Sequence, residues 1–218
     1  MQNTKIDLKS LRREFEGPRL LEEEAGKDPF LLFHKWFEEA LKSEIEPNSM
    51  ILATTDEEGN PDARTMLLKE IKDQGFVFYT NYLSKKGKDL KHNPKATILF
   101  FWQKLMRQIR IFGTVEQLSH KEAEEYFRMR PYESQIASYL SKQSSIIENR
   151  EEVEKEFYRL LEEFKDKSVP KPENWGGYIV HPLKIEFWQG RPARFHDRLL
   201  YTRENIQSKD WKLVRLYP

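Results

Sequence analysis

Residues able to bind an anion or an electron-rich ring concentrate near the end of the chain, in the segment WGGYIVHPLKIEFWQGRPARFHDR, residues 175–198. Arg194, His196 and Arg198 are spaced two apart there, so in an extended chain their side chains share one face. Two guanidinium groups and an imidazole on one face repel each other unless an anionic or electron-rich group lies between them. The spacing therefore predicts a ligand-binding face. Alternating charges on a strand are also typical of a solvated face, and the residues alone leave that alternative open.

Aromatic residues and glycines in the same segment favour the ligand-binding interpretation. Trp188 offers a flat surface for stacking, and Gly176 and Gly177 permit close approach of the backbone. Apolar and polar residues alternate over residues 183–188, which predicts a half-buried strand. Glycine and proline within residues 190–192 predict a turn, so the segment is expected to form a strand, a turn and a second strand.

Basic residues in the first half of the chain have the chemistry of a phosphate site. Arg64 lies in the predicted strand RTMLLK, and Lys85 and Lys86 follow Ser84, whose type and position predict a helix N-cap. A phosphate near the start of a helix is stabilised by exposed backbone N–H groups and by neighbouring cations. Taken singly, each lysine is more often a surface residue than a ligand.

A second group with phosphate-binding chemistry follows a predicted helix start. Ser119 and Glu122 have the spacing of a capping box. Tyr126 and Arg130 are four residues apart on that helix and therefore share a face, and Ser134 follows on the next short helix. A guanidinium group and two hydroxyls predict a second phosphate site, although Tyr126 could equally be a packing residue.

The elements that position these groups are predicted to form a mainly β, antiparallel barrel with appended helices, α+β overall. Strands are predicted at residues 49–55, 63–69, 76–80, 96–102 and 107–115. The strand ATILFFW at residues 96–102 is almost continuously apolar, which predicts burial on both faces. In the strand 107–115, Gln108 and Arg110 are expected on the face opposite to the isoleucines.

Two amphipathic helices are predicted as scaffold. The first begins with Asp28 as N-cap and Pro29 at the first helical position, and ends before Pro47. Its apolar stripe, expected in the core, consists of Phe33, Trp36, Phe37, Ala40, Leu41 and Ile45. The second helix carries Val153, Phe157, Leu160, Leu161 and Phe164, and is expected to end before Pro170 and Pro172.

Length and composition narrow the class of protein. The 218 residues suit a mobile N-terminal segment, residues 1–27, followed by a single domain, residues 28–218. A net charge of +1 argues against a nucleic-acid partner. The sequence has no cysteine, which excludes disulfides and thiolate metal sites and is typical of a cytoplasmic protein. No apolar run has the length of a membrane span or the character of a signal peptide, so no membrane partner is expected.

The C-terminal segment resembles the closing motif of the pyridoxamine 5′-phosphate oxidase family, WGGY…P…IEFWQG…R.HDR…Y.R…W…RL.P. The match continues beyond residue 198 through Tyr201, Arg203, Trp211, Arg215, Leu216 and Pro218. The resemblance implies an FMN-binding split barrel and FMN-dependent oxidation of pyridoxamine 5′-phosphate and pyridoxine 5′-phosphate to pyridoxal 5′-phosphate in vitamin B6 synthesis and salvage. Dioxygen would be the acceptor, giving hydrogen peroxide, and ammonia from the amine. It also implies a homodimer with FMN held between subunits.

The resemblance assigns roles to residues along the chain. It implies that FMN is bound by Arg64, Thr65, Met66, Leu67, Leu68, Lys69, Tyr79, Thr80, Lys85, Lys86, Gln108, Gln143, Ser144, Trp188 and Arg198. It implies that the substrate is bound by Arg12, Arg13, Lys69, Tyr126, Arg130, Ser134, Arg194 and His196. Arg194 and His196 would act as the catalytic pair by holding the pyridine ring against the flavin. Phe15 stands where the family commonly has a tyrosine, and no residue is assigned as general base.

Three alternatives remain at this point. A split-barrel reductase for another substrate would keep Arg64, Lys85 and Lys86. It should lack both the Tyr126, Arg130 and Ser134 group and the face formed by Arg194, His196 and Arg198. A carrier of pyridoxal phosphate would bind the same ligand without consuming oxygen. A nucleic-acid-binding barrel would use basic and aromatic faces on single strands, and the near-zero net charge counts against it.

Overall fold

The computed structural model describes residues 8, 9, 11 and 14–218. In that part of the chain the helices are α1 (Glu22–Ala25), α2 (Pro29–Ser43), α3 (Lys85–His92), α4 (His120–Met129), α5 (Tyr132–Leu140) and α6 (Arg150–Glu163), with a short 3₁₀ turn at Pro192–Arg194. The strands are β1 (Ser49–Thr55), β2 (Pro61–Leu67), β3 (Glu70–Lys72), β4 (Gly75–Asn81), β5 (Lys95–Trp102), β6 (Arg107–Gln117), β7 (Trp175–Gln189), β8 (Asp197–Thr202) and β9 (Lys212–Leu216).

The strands form one sheet in the order β2-β1-β5-β6-β7-β4-β3, with β8 paired to β7 and β9. The pairs β1–β2, β1–β5, β3–β4, β4–β7, β7–β8 and β8–β9 are antiparallel, which confirms the predicted fold class.

Internal contacts divide the chain into two compact units. The first unit consists of Met1–Pro47, Phe100–Arg110 and Lys184–Pro218, and the second of Asn48–Leu99 and Ile111–Leu183. The division into a mobile segment 1–27 and one domain 28–218 stays a prediction.

In the first unit, helix α2 begins as the sequence predicts. The Asp28 side chain accepts the N–H of Phe30, and Pro29 occupies the first helical position. Phe33 and Ala40 are fully buried, with the Phe33 ring 5.4 Å from that of Phe100. The prediction that Leu41 and Ile45 are core residues is wrong, since they are 60% and 96% exposed. The helix ends at Ser43, so Ile45 lies outside it, and Leu41 is about 100° around the helix axis from Ala40.

Residues 20–26 also pack within the first unit. Leu20 and Ala25 are buried, and the Tyr201 hydroxyl donates to the carbonyl oxygens of Ala25 (3.1 Å) and Gly26 (2.9 Å). Arg215 binds both carboxylate oxygens of Glu22 at 2.7 Å. These contacts attach the segment that precedes α2 to strands β8 and β9.

In the second unit, β4 pairs with the first part of β7, from Phe76 opposite Val180 to Asn81 opposite Trp175. A separate core cluster joins the helices α4, α5 and α6 to the start of β7. Its buried members are Phe127, Ile136, Leu160, Val169 and Trp175. The predicted scaffold role of α6 agrees with the burial of Leu160, although Val153 is 37% exposed and the helix ends at Glu163, well before the prolines.

Strand β5 differs from the sequence-based prediction. It was expected to be buried on both faces, but burial alternates along it. Ala96, Ile98, Phe100 and Trp102 are buried, whereas Phe101 is 51% exposed. Only one face of this antiparallel strand is covered by packing, so its apolar composition does not report double burial. Strand β6 alternates as predicted, with Ile109 and Ile111 buried and Gln108 and Arg110 on the other face.

Candidate functional site

The predicted phosphate-binding cations of the second unit come together around the start of helix α3. Arg64, on β2, donates to the Leu52 carbonyl (3.0 Å), the Thr54 hydroxyl (2.7 Å) and Asp62 (2.6 Å). Lys85 lies 3.2 Å from Asp89 and 3.7 Å from Asp62. Burial opposes ionisation of Asp62, but the hydrogen bond and charge of Arg64 lower its pKa on balance. The carboxylates of Asp62 and Asp89 thus hold Arg64 and Lys85 near the start of α3.

Lys86 is the buried member of this cluster. It is 6% exposed, and its ammonium donates to the Thr80 hydroxyl (3.3 Å), the Ser84 hydroxyl (3.2 Å) and the Gln143 side-chain oxygen (3.3 Å). Ser84 caps the helix as predicted, accepting the N–H of Gly87. Burial, and then the charge of Arg64, lower the pKa of Lys86. Its three hydrogen-bond acceptors are neutral, and the nearby carboxylates of Asp62 and Asp89 offset only part of the effect of burial on its charge. A buried ammonium beside other cations suits an anion such as a phosphate.

The other predicted cofactor residues of this unit lie on β2, on β4 and after α5. Thr80 donates to Gln143 at 3.1 Å, which joins β4 to the exposed loop that contains Gln143 and Ser144. Along the β2 segment Thr65 is exposed, Met66 and Leu67 are half-buried and Leu68 is buried. Lys69 has an exposed side chain, and its backbone N–H donates to Val77 at 2.9 Å.

The second predicted phosphate-binding group is built on an aromatic stack. The Tyr126 ring lies 3.9 Å from that of Tyr79, and both are nearly parallel to the Trp175 indole. The guanidinium carbon of Arg130 lies 4.8 Å from the centre of the Trp175 ring, a cation–π distance. Burial lowers the pKa of Arg130 and raises that of Tyr79 to about 12. The prediction that Tyr126 and Arg130 share a helical face is wrong in part, because α4 ends at Met129 and Arg130 has the extended backbone of a C-cap. The Trp175 ring nevertheless brings Tyr126 and the Arg130 guanidinium together.

Two contacts of this group were missed by sequence reasoning. The hydroxyl that Arg130 contacts is that of Ser138 (2.6 Å), one turn after Ser134 on α5. Ser134 itself is half-buried. Trp175 is the first residue of the WGGY motif, and its contact with Arg130 depends on tertiary packing that spacing does not reveal. Ser138 offered a weak signal, because it lies four residues from Ser134 on the same helical face.

In the first unit, the prediction that Arg194, His196 and Arg198 share one face of an extended strand is wrong. Arg194 lies in the 3₁₀ turn with φ of 62°, next to Ala193 with φ of 54°, and β8 begins only at Asp197. Positive φ values interrupt the two-residue alternation on which the prediction depended. The exposed Arg194 is therefore presented by a turn rather than by a strand.

The turn nevertheless places His196 among aromatic rings. The imidazole lies 4.6 Å from the Trp188 ring and 5.6 Å from the Phe15 ring. The backbone N–H of Arg191 donates to its Nδ1 at 3.1 Å. Nδ1 is therefore an acceptor, so the neutral imidazole carries its proton on Nε2. Burial, and then the charge of Arg194, lower the pKa of His196, which favours that neutral form.

Arg198 is held by a buried carboxylate. It lies opposite Trp188 in the β7–β8 pair, and its Nε donates to Glu186 at 2.9 Å. Glu186 is 5% exposed and also accepts from Arg110, which shares its face of β6 with the half-buried Gln108. Burial opposes ionisation of Glu186, but the hydrogen bonds of the two arginines lower its pKa on balance.

Two expectations concern features outside these groups. Arg12 and Arg13 lie outside the described residues. No helix in the part of the chain that the structure describes combines the length and apolarity needed to cross a bilayer.

Fold and site together define an antiparallel split-barrel protein with two clusters of cations and hydroxyls in its second unit and an aromatic and basic group in its first. Comparison of the sequence with known families places it more narrowly. A family described as pyridoxamine 5′-phosphate oxidase matches residues 37–162, and one described as the pyridoxine 5′-phosphate oxidase C-terminal dimerisation region matches residues 175–218. The chain belongs to the pyridoxamine 5′-phosphate oxidase family.

Curated relatives match along the whole chain. Pyridoxine/pyridoxamine 5′-phosphate oxidase from Rubrobacter xylanophilus is 46% identical over 218 residues, covering 100% of this chain and 99% of the relative. The protein of that name from Microcystis aeruginosa is 47% identical over 214 residues, covering 98% and 99%. A chloroplastic relative from Arabidopsis thaliana is 45% identical over 98% of this chain and 41% of its own length.

Solved structures confirm the fold. PhzG from Burkholderia lata, in complex with tetrahydrophenazine-1-carboxylic acid, has a TM-score of 0.85 and 28% identity, covering 93% of this chain and 100% of PhzG. A pyridoxamine 5′-phosphate oxidase-related, FMN-binding protein from Nostoc punctiforme has a TM-score of 0.70 and 16% identity, covering 88% and 98%. The second likeness supports the fold alone.

Proposed function

We propose that this protein is an FMN-dependent oxidase that converts pyridoxamine 5′-phosphate and pyridoxine 5′-phosphate to pyridoxal 5′-phosphate. Dioxygen is the acceptor and hydrogen peroxide a product, with ammonia released from the amine. The proposal rests on membership of the family together with one structural observation. Lys86 is a buried ammonium whose three acceptors are neutral, next to Arg64 and Lys85 at the capped start of a helix.

These residues fit the phosphate of FMN. Cations and a capped helix start form a site for a dianion. The cofactor would be held by Arg64, Lys85, Lys86, Thr80, Gln143 and Ser144 at its phosphate end, with the backbone of residues 64–69 and the side chains of Tyr79, Gln108, Trp188 and Arg198 contributing to the remaining contacts. When bound, FMN supplies the hydride acceptor and is reoxidised by dioxygen.

The chain's own residues bind and orient the substrate. Arg130 and Tyr126, fixed by the aromatic stack, would bind the substrate's phosphate with Lys69 and Ser134. Because Arg130 is partly desolvated, its charge-assisted hydrogen bonds to a phosphate are stronger than they would be in water. This group distinguishes the proposal from a reductase that acts on an unphosphorylated substrate.

His196 and Arg194 would hold the substrate's pyridine ring. A neutral His196 with its proton on Nε2 can donate one hydrogen bond to the ring, and Arg194 contributes a permanent positive charge. Their position is set by the turn before β8 and by the rings of Trp188 and Phe15. The Phe15 ring lacks the hydroxyl that a tyrosine would offer, so it contributes packing alone.

The protein is proposed to act as a homodimer, because residues 175–218 match a family dimerisation region. Such a pair would have two equivalent sites related by a two-fold axis. A cytoplasmic location is part of the same proposal, supported by a sequence without cysteine. Light scattering of the active protein tests the dimer, and cell fractionation tests the location.

The test of the function is direct. The purified protein should be yellow, release FMN rather than FAD on denaturation, and form hydrogen peroxide with both phosphorylated substrates. Failure to take up flavin from excess FMN would contradict the proposal. Flavin binding without peroxide formation would support a carrier, and peroxide formation only with an unphosphorylated substrate would support another split-barrel enzyme.

A further inference from the structure

A buried pair, Thr54 and Asp89, connects the cations of the proposed FMN phosphate site. Arg64 Nη1 donates to the Thr54 hydroxyl at 2.7 Å, and that hydroxyl lies 2.7 Å from Asp89 Oδ2. Lys85 binds the same carboxylate at 3.2 Å and 3.3 Å. Thr54 is 2% exposed and Asp89 3% exposed. Two cations from β2 and α3 are thus joined through one hydroxyl and one carboxylate.

The direction of each hydrogen bond in this group is determined by chemistry. A guanidinium group can only donate, so Thr54 Oγ1 accepts from Arg64. An ionised carboxylate can only accept, so the Thr54 hydroxyl must direct its own proton at Asp89. The hydroxyl has a single orientation in this arrangement, and with the Leu52 carbonyl it fixes one arm of the guanidinium, Nη1. The other arm, Nη2, binds Asp62, whose side chain is 36% exposed.

Burial of Asp89 needs an explanation of its own. A carboxylate that is almost fully buried is destabilising unless charges and hydrogen bonds compensate it. The compensation comes from Lys85, from the Thr54 hydroxyl and from Arg64, whose Nη2 lies 3.7 Å from Asp89. Two of those three are residues of the phosphate site. If the pair only packed α3 against β1, two apolar side chains would do so without the free-energy cost of burying a carboxylate.

We propose that Thr54 and Asp89 are positioning residues that orient Arg64 and Lys85 for the phosphate of the cofactor. The inference rests on the proposed binding of FMN. Neither residue needs to touch the cofactor. The hydroxyl orients the Arg64 guanidinium together with the Leu52 carbonyl and Asp62, and the Asp89 carboxylate is the nearer of the two that hold the Lys85 ammonium. Pre-organised cations lose less side-chain entropy when the phosphate binds.

Comparison of FMN with riboflavin, which lacks the phosphate, tests the assignment. The full-length protein, freed of flavin, is titrated with each ligand and the quenching of flavin fluorescence gives Kd. We expect Thr54→Val to weaken FMN binding about tenfold, the loss of one hydrogen bond to a charged group. Its affinity for riboflavin should change little. Thr54→Ser, which keeps the hydroxyl, should bind FMN nearly as tightly as the wild-type protein.

The Arg64→Ala background provides the coupling measurement. If Thr54 acts through Arg64, Thr54→Val should cause no further loss of FMN affinity once Arg64 is absent. Should the valine variant fail to fold, Thr54→Ala removes the same hydroxyl with a smaller side chain and is measured in its place.

Three results would overturn the inference. Equal weakening of FMN and riboflavin would mean that the hydroxyl only supports the fold. Unchanged FMN affinity would mean that Arg64 is oriented without it, and an additional loss in the Arg64→Ala background would mean that Thr54 acts by another route. A wild-type protein that binds no FMN would instead refute the proposed function, which separates the two failures.

Discussion

The two proposed phosphate-binding groups of the second unit and the aromatic and basic turn of the first unit are built in different ways. In the second unit the cations are fixed by neighbours: Lys86 is 6% exposed with three acceptors, and Arg130 lies over an indole. In the first unit Arg194 is exposed on a turn with positive φ values. Under the proposed function, we expect affinity for phosphorylated ligands to depend on the packed cations of the second unit, and turnover to depend on the geometry of the turn.

Disturbing that turn should have the largest effect. We expect Arg194→Ala or His196→Ala to lower kcat/KM by about 10²-fold, the typical loss when a reactant is misplaced. FMN content should remain that of the wild-type protein, because neither residue belongs to the phosphate cluster. Steady-state kinetics and the flavin absorbance of the purified variants check this. A variant that loses FMN yet oxidises normally after reconstitution would assign the turn to the cofactor instead.

Loss of the Glu186 charge should have the next largest effect, on stability, because this carboxylate pairs with two arginines of the first unit. Glu186→Gln removes the charge that Arg110 and Arg198 share, and we expect the free energy of unfolding to fall by about 2 kcal/mol. Denaturant titration measures the change. Glu154→Gln is the control, since it removes an exposed carboxylate that also binds an arginine, Arg150, and should cause no measurable loss. Equal stability of both variants would mean that burial does not strengthen the Glu186 pairs.

A smaller effect is expected from the indole beneath Arg130. Trp175→Leu removes the cation–π contact, worth about 1 kcal/mol at a partly buried site, and should raise KM for the phosphorylated substrates about fivefold. Trp175→Phe keeps an aromatic face and should cause a smaller rise. Thermal melting of both variants reports the loss of core packing separately. Identical KM values for the two variants would show that the ring face does not orient Arg130.

The smallest expected effect is a pH dependence of stability that arises from His196. The pKa of His196 is lowered from its ordinary value of 6.5 by burial and by Arg194, so the unfolded chain binds a proton more readily than the folded one. The stability contributed by neutral His196 is therefore fully present above pH 6.5 and is lost as the pH falls through the lowered pKa. The Tm difference between the wild-type protein and His196→Asn should shrink between about pH 7.5 and about pH 5.5. A difference that grows in acid would contradict the direction of the shift.

Local features of this fold were predictable from the sequence, and long-range ones were not. The caps at Asp28, Ser84 and Ser119 follow from residue type within one helical turn, and all three are confirmed. The alternation of β6 was predictable for the same reason. The contacts of Thr54 with Asp89 and of Arg130 with Trp175 join residues 35 and 45 positions apart, and nothing in the local pattern indicates them.

In the turn before β8, the sequence did not predict the backbone conformation. Proline and glycine predicted a turn there, but the spacing of Arg194, His196 and Arg198 favoured an extended chain. Ala193 and Arg194 adopt positive φ values that their residue types disfavour, so tertiary contacts outweighed local preference. The candidate residues were therefore identified from the sequence, while their arrangement required the structure.

The ratio of kcat/KM for pyridoxine 5′-phosphate to that for pyridoxine tests the contrast between the two regions most directly. It should be measured in the wild-type protein, in Arg130→Ala and in His196→Ala. We expect the ratio to be large in the wild-type protein, to stay unchanged in His196→Ala, where both substrates are harmed alike, and to fall about tenfold or more in Arg130→Ala. An unchanged ratio in Arg130→Ala, or a collapse in His196→Ala, would contradict the assignment of phosphate binding to the second unit and of ring binding to the turn.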